Sequence, residues 1–171
     1  APSQPRLRFP EFRNKGEWER VALDKVVKIG SGQVDPNQFP YCDLPHVGGE
    51  NIESHSGNLR NVKHASELRL ISGKYSFDEN DILYSKIRPA LNKVAAPNFQ
   101  GICSADIYPI RSDSCELRRD YLYYLLLSDY FLEYSTKHSA RSKIPKINRA
   151  SLLAFRTLIP GIAEQQKVAA C

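Results

Sequence analysis

Apolar and polar positions change register several times along this chain, and each change marks an element. Trp18 to Leu23 sets Trp18, Val21 and Leu23 among polar neighbours, with Arg20 breaking strict alternation, and predicts a strand. Gly30-Ser31-Gly32, Asp35-Pro36-Asn37 and Phe39-Pro40 then make a long turn-rich segment. Loops of this length in compact domains are often functional. Leu44 to Ile52 predicts one or two short strands broken at Gly48-Gly49, and Gly57-Asn58 is a further turn signal. Asp78-Glu79-Asn80-Asp81 is a polar turn leading into a strand, Ile82 to Ile87, that ends before Pro89. Lys93 to Ala96 and Ile102 to Ile110 are two more strand-like runs, separated by Pro97-Asn98 and Gly101. Short strands in succession argue for a twisted, mostly antiparallel sheet.

The period then lengthens. Asp120 can cap a helix from Tyr121 to about Lys137, whose stripe of Leu122, Leu125, Leu126, Tyr130 and Tyr134 would face the core. Ser151 to Ile159 is apolar and ends at Pro160-Gly161, and Ala163 to Ala170 opens a further helix that stops with the chain. Isolated helices below roughly 12 to 15 residues are marginal. Such an ending points to a piece of something longer, as does the absence of methionine, and the core residues are expected to precede Ala163. The fold class expected is α/β of the α+β type: a twisted, mostly antiparallel β-sheet with peripheral helices, followed by the start of a long connecting helix. Residues 1–15, rich in Pro and Arg, read as a lead-in arm, 16–162 as the domain proper, and 163–171 as the truncated start of the connecting helix.

Composition fits this picture. A length of 171 residues predicts one domain, and 42% hydrophobic with 25% charged residues is ordinary globular composition. No apolar run approaches the roughly 20 residues of a membrane span and the start has no secretory pattern, so a cytoplasmic protein away from membranes is expected. Cys42, Cys103, Cys115 and Cys171 lie far apart without a C-x-x-C, which favours reduced thiols.

Charge is more informative by position than by sum. The net charge is +5, yet Tyr134 to Ala163 holds no acid and six bases: Lys137, Arg141, Lys143, Lys146, Arg149 and Arg156. A local excess of this kind suits a surface that meets a polyanion at one place, or equally a solvated charged loop.

Enzyme readings require particular residues. Gly30-Ser31-Gly32 lacks the third glycine of a dinucleotide loop, and Gly73-Lys74 has Leu68 where a phosphate loop needs glycine. No Asp or Glu stands two residues before a lysine, the arrangement that holds a metal and orients water in restriction-type nucleases. No N-P-P-[YF]-like amino-methyltransferase loop and no G-x-S-x-G occur. His46, His55, His64 and His138 form no H-x-x-x-H pair, so no metal site is expected. Nine tyrosines leave a tyrosine-nucleophile strand transferase open as an alternative, and a basic protein-interaction adaptor is a third reading.

Three stretches together resemble one family. Leu7-Arg8-Phe9-Pro10-Glu11-Phe12 followed by Glu17 to Leu23 looks like the opening of a target recognition domain of type I restriction-modification specificity (S) subunits. Asp81 to Val94, then Gly101 to Pro109, is similar to that family's central block. Ile159-Pro160-Gly161-Ile162-Ala163-Glu164-Gln165-Gln166-Lys167-Val168 resembles its I-P-x-P-x-x-E-Q-x-K-I signature, with Gly161-Ile162 in place of the usual second proline. The resemblance covers almost the whole chain. It implies a non-catalytic subunit that reads one half of a split double-stranded DNA site and directs methyltransferase (M) and restriction (R) subunits. No cofactor is then expected in this chain, with S-adenosylmethionine, ATP and Mg on the partner subunits. A second recognition domain, or a second copy of the chain, would read the other half.

Residue chemistry names the candidates for that role. Lys and Arg release counterions from phosphates, while Asn, Gln, Arg and Ser read base edges. The candidate DNA-binding residues are Lys137, Ser139, Arg141, Ser142, Lys143, Lys146, Asn148 and Arg149 in the basic segment, and Gln33, Asn37, Gln38 and Asn51 as amides. Lys86, Arg88, Asn92 and Lys93, around a Pro-limited turn, complete the set. Lys86 and Arg88 also suit a charged sheet edge that discourages aggregation, and Ser104-Ala105-Asp106 is expected to be a buried structural turn in preference to a base contact.

Overall fold

The computed structural model describes residues 8–140 and 142–171; Arg141 and residues 1–7 of the expected arm lie outside them. Among the described residues the strands are β1 (Glu19–Ala22), β2 (Val27–Ile29), β3 (Pro45–Val47), β4 (Lys63–His64), β5 (Tyr75–Phe77), β6 (Ile82–Ser85), β7 (Val94–Ala95), β8 (Gly101–Cys103) and β9 (Ile107–Ser112). Helices α1 (Arg119–Leu127), α2 (Asp129–Lys137) and α3 (Arg149–Leu153) follow, then strand β10 (Arg156–Ile159) and helix α4 (Ile162–Ala169).

The strands form two four-stranded sheets and a ribbon. One sheet has the order β2-β9-β6-β7 and is antiparallel throughout; the other, β4-β3-β8-β5, contains one parallel pair, β3 with β8. The ribbon pairs β1 with β10, setting Glu19 opposite Ile159. The expected antiparallel character holds, while the strands divide between sheets instead of forming one.

Alternation along the strands explains the division. Side chains on a strand point to opposite faces in turn. On β6, Ile82 and Tyr84 enter the core shared with the helices, whereas Leu83 enters a second core between the sheets. Strand β7 repeats the pattern with Val94 and Ala95, and β9 with Tyr108 and Ile107. All four residues of β6 are buried, so the central sheet is covered on both faces and its sequence reads as a continuous apolar run. Gly101 allows the second sheet to close, because a Cβ there would meet the Phe77 ring and the Pro45 carbonyl at 2.6 Å.

Three expectations for the helices change. The segment from Tyr121 to Lys137 is two helices, broken where Ser128 is extended; its Oγ accepts from Phe131 N and caps α2. Asp120 lies inside the first turn of α1, bonded to Arg118, where its charge suits the helix dipole. Helix α4 also joins the core. Glu164 and Gln165 are buried and Val168 packs against the helix-side cluster, although the core was expected to precede Ala163. Gln165 is held by donating to Glu116 O and Pro160 O and accepting from Arg118 N. Residues of the arm pack on the same helix: Arg8 donates to Glu164 Oε2 at 2.7 Å and Lys167 pairs with Glu11 at 2.9 Å. No helix among the described residues is long and apolar enough to cross a membrane.

Candidate nucleic-acid interface

The basic segment and the Lys86–Lys93 turn are 50 or so positions apart in sequence, and the fold brings them together. After α2 the chain makes a loop closed by Ala140 N donating to Lys146 O, 2.8 Å. The base of this loop lies along the end of β6: Arg88 N donates to Pro145 O at 2.7 Å and Ile147 N to Lys86 O at 3.0 Å. Arg88 takes a left-handed conformation, φ 46°, uncommon for a residue with a side chain, and is exposed. Asn92 mirrors it at φ 45°, and the two flank a 3-10 turn, Pro89–Leu91.

Asp106, expected in a buried turn, is half exposed and sits among the bases. Its Oδ1 lies 3.9 Å from Lys86 Nζ and 3.8 Å from Lys146 Nζ, so it bridges the two basic segments. Lys86 also donates to Ala105 O and lies over the Tyr108 ring, 5.3 Å from its centroid. A cleft of 240 Å³ beside this cluster is lined by Arg88, Lys93, Asp106, Ser85, Ser104 and Glu50, among others.

Arg149 ties this region to the amide loop. Its guanidinium donates to Gly30 O at 2.6 Å and Ile29 O at 3.3 Å, and stands over the rings of Tyr75 and Tyr108, 5.5 and 5.1 Å from their centroids. Burial pushes the Tyr108 hydroxyl's pKa up against the opposing pull of Arg149. The loop that starts at Gly30 carries Gln33, Asn37 and Gln38, all exposed, and is joined to residue 74 by the Val34–Lys74 bridge. A chain of contacts thus runs from the amide loop through Arg149 and Tyr108 to Lys86, Asp106 and Lys146.

The remaining candidates divide by how their polar atoms are used. Lys137, Lys143 and Lys146 are exposed, as is Ser142, whose hydroxyl donates to Ile144 O. Ser139 donates to Thr136 O at the end of α2, and Asn148 caps α3 by accepting from Ser151 N. Lys93 is half-buried, with its ammonium on Gly49 O. Asn51 is buried, accepts from Gly48 N and donates to Arg60 O and Asn61 O; Asn92 is buried and donates to Leu127 O. Both of these amides brace loops from within, and the structure does not place them with the exposed candidates. Arg141 lies outside the described residues. Asp106 was placed in a buried turn and Tyr75 and Tyr108 were missed, since neither an acid nor a core-like tyrosine carries a local signal for membership in a basic surface.

Burial pushes the hydroxyls of Tyr84 and Tyr121 up to about 12, away from a reactive phenolate. The four cysteines are unpaired, and among the described residues no three His, Cys, Asp or Glu side chains group to hold a metal.

The model of the type I restriction modification DNA specificity domain matches residues 15–171. The chain is 32% identical over 164 residues to the type I restriction enzyme EcoDI specificity subunit of Escherichia coli, which covers 92% of this chain and 36% of that protein. It therefore spans about a third of the length of this curated relative. Its fold is similar to an HsdS subunit from Thermoanaerobacter tengcongensis, with TM-score 0.74 and 20% identity over 90% of this chain and 40% of that one. The S subunit of a type I system from M. genitalium gives TM-score 0.62 at 15% identity, over 98% of this chain and 40% of that one. With the family model matched across nearly its whole length and a basic surface assembled from separate segments, the chain belongs to the type I restriction-modification DNA specificity domain family.

Proposed function

We propose that this chain is a target recognition domain that reads one half of a bipartite double-stranded DNA site for a type I restriction-modification enzyme. The observation that carries the reading is the joining of the basic loop to the Lys86–Arg88 turn, with the Gln33–Gln38 amides reached through Arg149. The lysines neutralise phosphates and set register, and the loop amides read base edges. The domain performs no chemistry itself. It positions methyltransferase and restriction subunits, which hold S-adenosylmethionine, ATP and Mg. Residues 16–162 form the recognition domain, and α4 is the start of a connecting helix that leads to a second recognition domain or a second copy.

The test is the salt dependence of duplex binding. Replacing Lys143 and Lys146 together with Glu should flatten the slope of log affinity against log salt by about 2, near 0.9 for each phosphate that is no longer neutralised. Substituting Gln33 or Asn37 should instead shift the preferred sequence. An unchanged slope in a folded double variant, measured by fluorescence anisotropy, would rule out the phosphate role.

A further inference from the structure

Seven large hydrophobic side chains are exposed among the described residues, and two stand apart: Phe39 at 81% and Ile71 at 94%, the rest between 40% and 57%. They lie on two loops that are bonded to each other. Val34 and Lys74 exchange both backbone hydrogen bonds, at 2.8 and 2.9 Å, and Asn37 Nδ2 donates to Leu70 O at 3.2 Å. Each loop is also braced internally: Asn37 N and Nδ2 donate to Asp35 Oδ1, Cys42 N donates to Gln38 O, and the Lys74 ammonium donates to Ser72 O and Oγ. The side chains are therefore held out in water on fastened backbone.

We propose that Phe39 and Ile71 are an apolar wedge that enters a base step of the bound duplex and adds shape readout to the half-site. This rests on the DNA-binding reading above. Three observations favour DNA as the occupant. The loops are rooted at the candidate interface, since Gly30 accepts from Arg149 and Tyr75, next to Lys74, lies under the same guanidinium. Their other exposed residues are mainly polar, including Gln33, Asn37, Gln38, Arg69 and Ser72. Phe39 and Ile71 are the exposed large hydrophobic side chains of these loops, whereas a protein partner of ordinary interface size needs about 800 Å² on each side with an apolar centre. Two side chains suit a gap between base pairs, and apolar wedges of this kind unstack and kink a duplex. Specificity then arises at a step chosen for deformability as well as for base edges.

The experiment measures end-to-end energy transfer on a dye-labelled duplex, chosen from a random pool by the 171-residue chain. The unsubstituted chain should bend the duplex by roughly 20–90° at saturation. Phe39→Ser and Ile71→Ser should melt as the parent does, since both side chains are exposed, and keep its salt slope. They should leave the duplex nearer to straight and reduce discrimination at the deformed step by about tenfold. A straight duplex with the parent chain, or undiminished bending in both serine variants, overturns the wedge alone. Absence of saturable duplex binding by the parent overturns the wedge and the DNA-binding reading together.

Discussion

Single residues in this domain take their meaning from what their polar atoms already hold. Asp106 holds two lysines of the candidate interface and is itself half exposed. Replacing it with Asn removes an acid that repels phosphate, so affinity for arbitrary duplex should rise severalfold at low salt and the gain should fade as salt screens it. A fluorescence titration at two salt concentrations checks this. His46 is a different case. It is buried with neither ring nitrogen hydrogen-bonded, and burial, then the nearby Lys74, hold its pKa below the usual 6.5 against the opposing effect of Glu50. The folded state thus keeps it neutral while the unfolded chain takes up a proton. Stability should be full above about pH 6.5 and fall as pH drops from there toward the lower folded value, by at most about 1.4 kcal/mol per pH unit. In urea titrations between pH 7 and pH 5, His46→Leu should flatten that slope; an equal slope would assign it to other groups. Asn51 and Asn92 show where residue type misleads. Amides suited to adenine edges are equally suited to bracing a loop, and only their burial, set by distant segments, separates the two uses.

At the scale of elements, the sheet was legible where apolar runs are bounded by turn residues. The Asp78–Asp81 turn, β6, β7 and β9 all fall where Pro, Gly, Asn and Asp punctuate β-branched and aromatic residues. The break between α1 and α2 was not legible, because a Ser-Asp pair within a leucine and tyrosine stripe leaves the helical period intact. Ser128 makes the break, bonding Leu125 O behind it and capping Phe131 N ahead. Ser128→Ala should cost about 1 kcal/mol, a fall in melting temperature of roughly 2–4 °C for a domain of this size by calorimetry. No change would mean that packing of Phe131, fully buried among Tyr84 and Phe155, sets the break alone. The apolar run from Ser151 to Ile159 was ambiguous for a related reason: α3 and β10 are both short, and periodicity cannot divide nine residues between them.

For the whole molecule, the features that sequence concealed are those made by remote partners. Arg8 and Glu164 are 156 positions apart, so no local pattern shows that the arm is packed on α4. The contact fastens the arm to α4, while the basic loop, the Lys86–Arg88 turn and the amide loop are joined through Arg149 and Asp106. The resemblance of the three stretches pointed to the family, and the basic excess after Tyr134 pointed to the loop, yet the surface itself exists only once Lys86 and Arg88, just past β6, exchange hydrogen bonds with the loop base. The central claim is that this surface reads half of a DNA site. Its most direct test is sequencing of duplexes retained by the 171-residue chain from a randomised pool at moderate salt. One short motif should be enriched, without a second, different motif at fixed spacing. Retention with no enriched sequence, or enrichment of two unlike motifs at fixed spacing by this chain alone, would contradict the account.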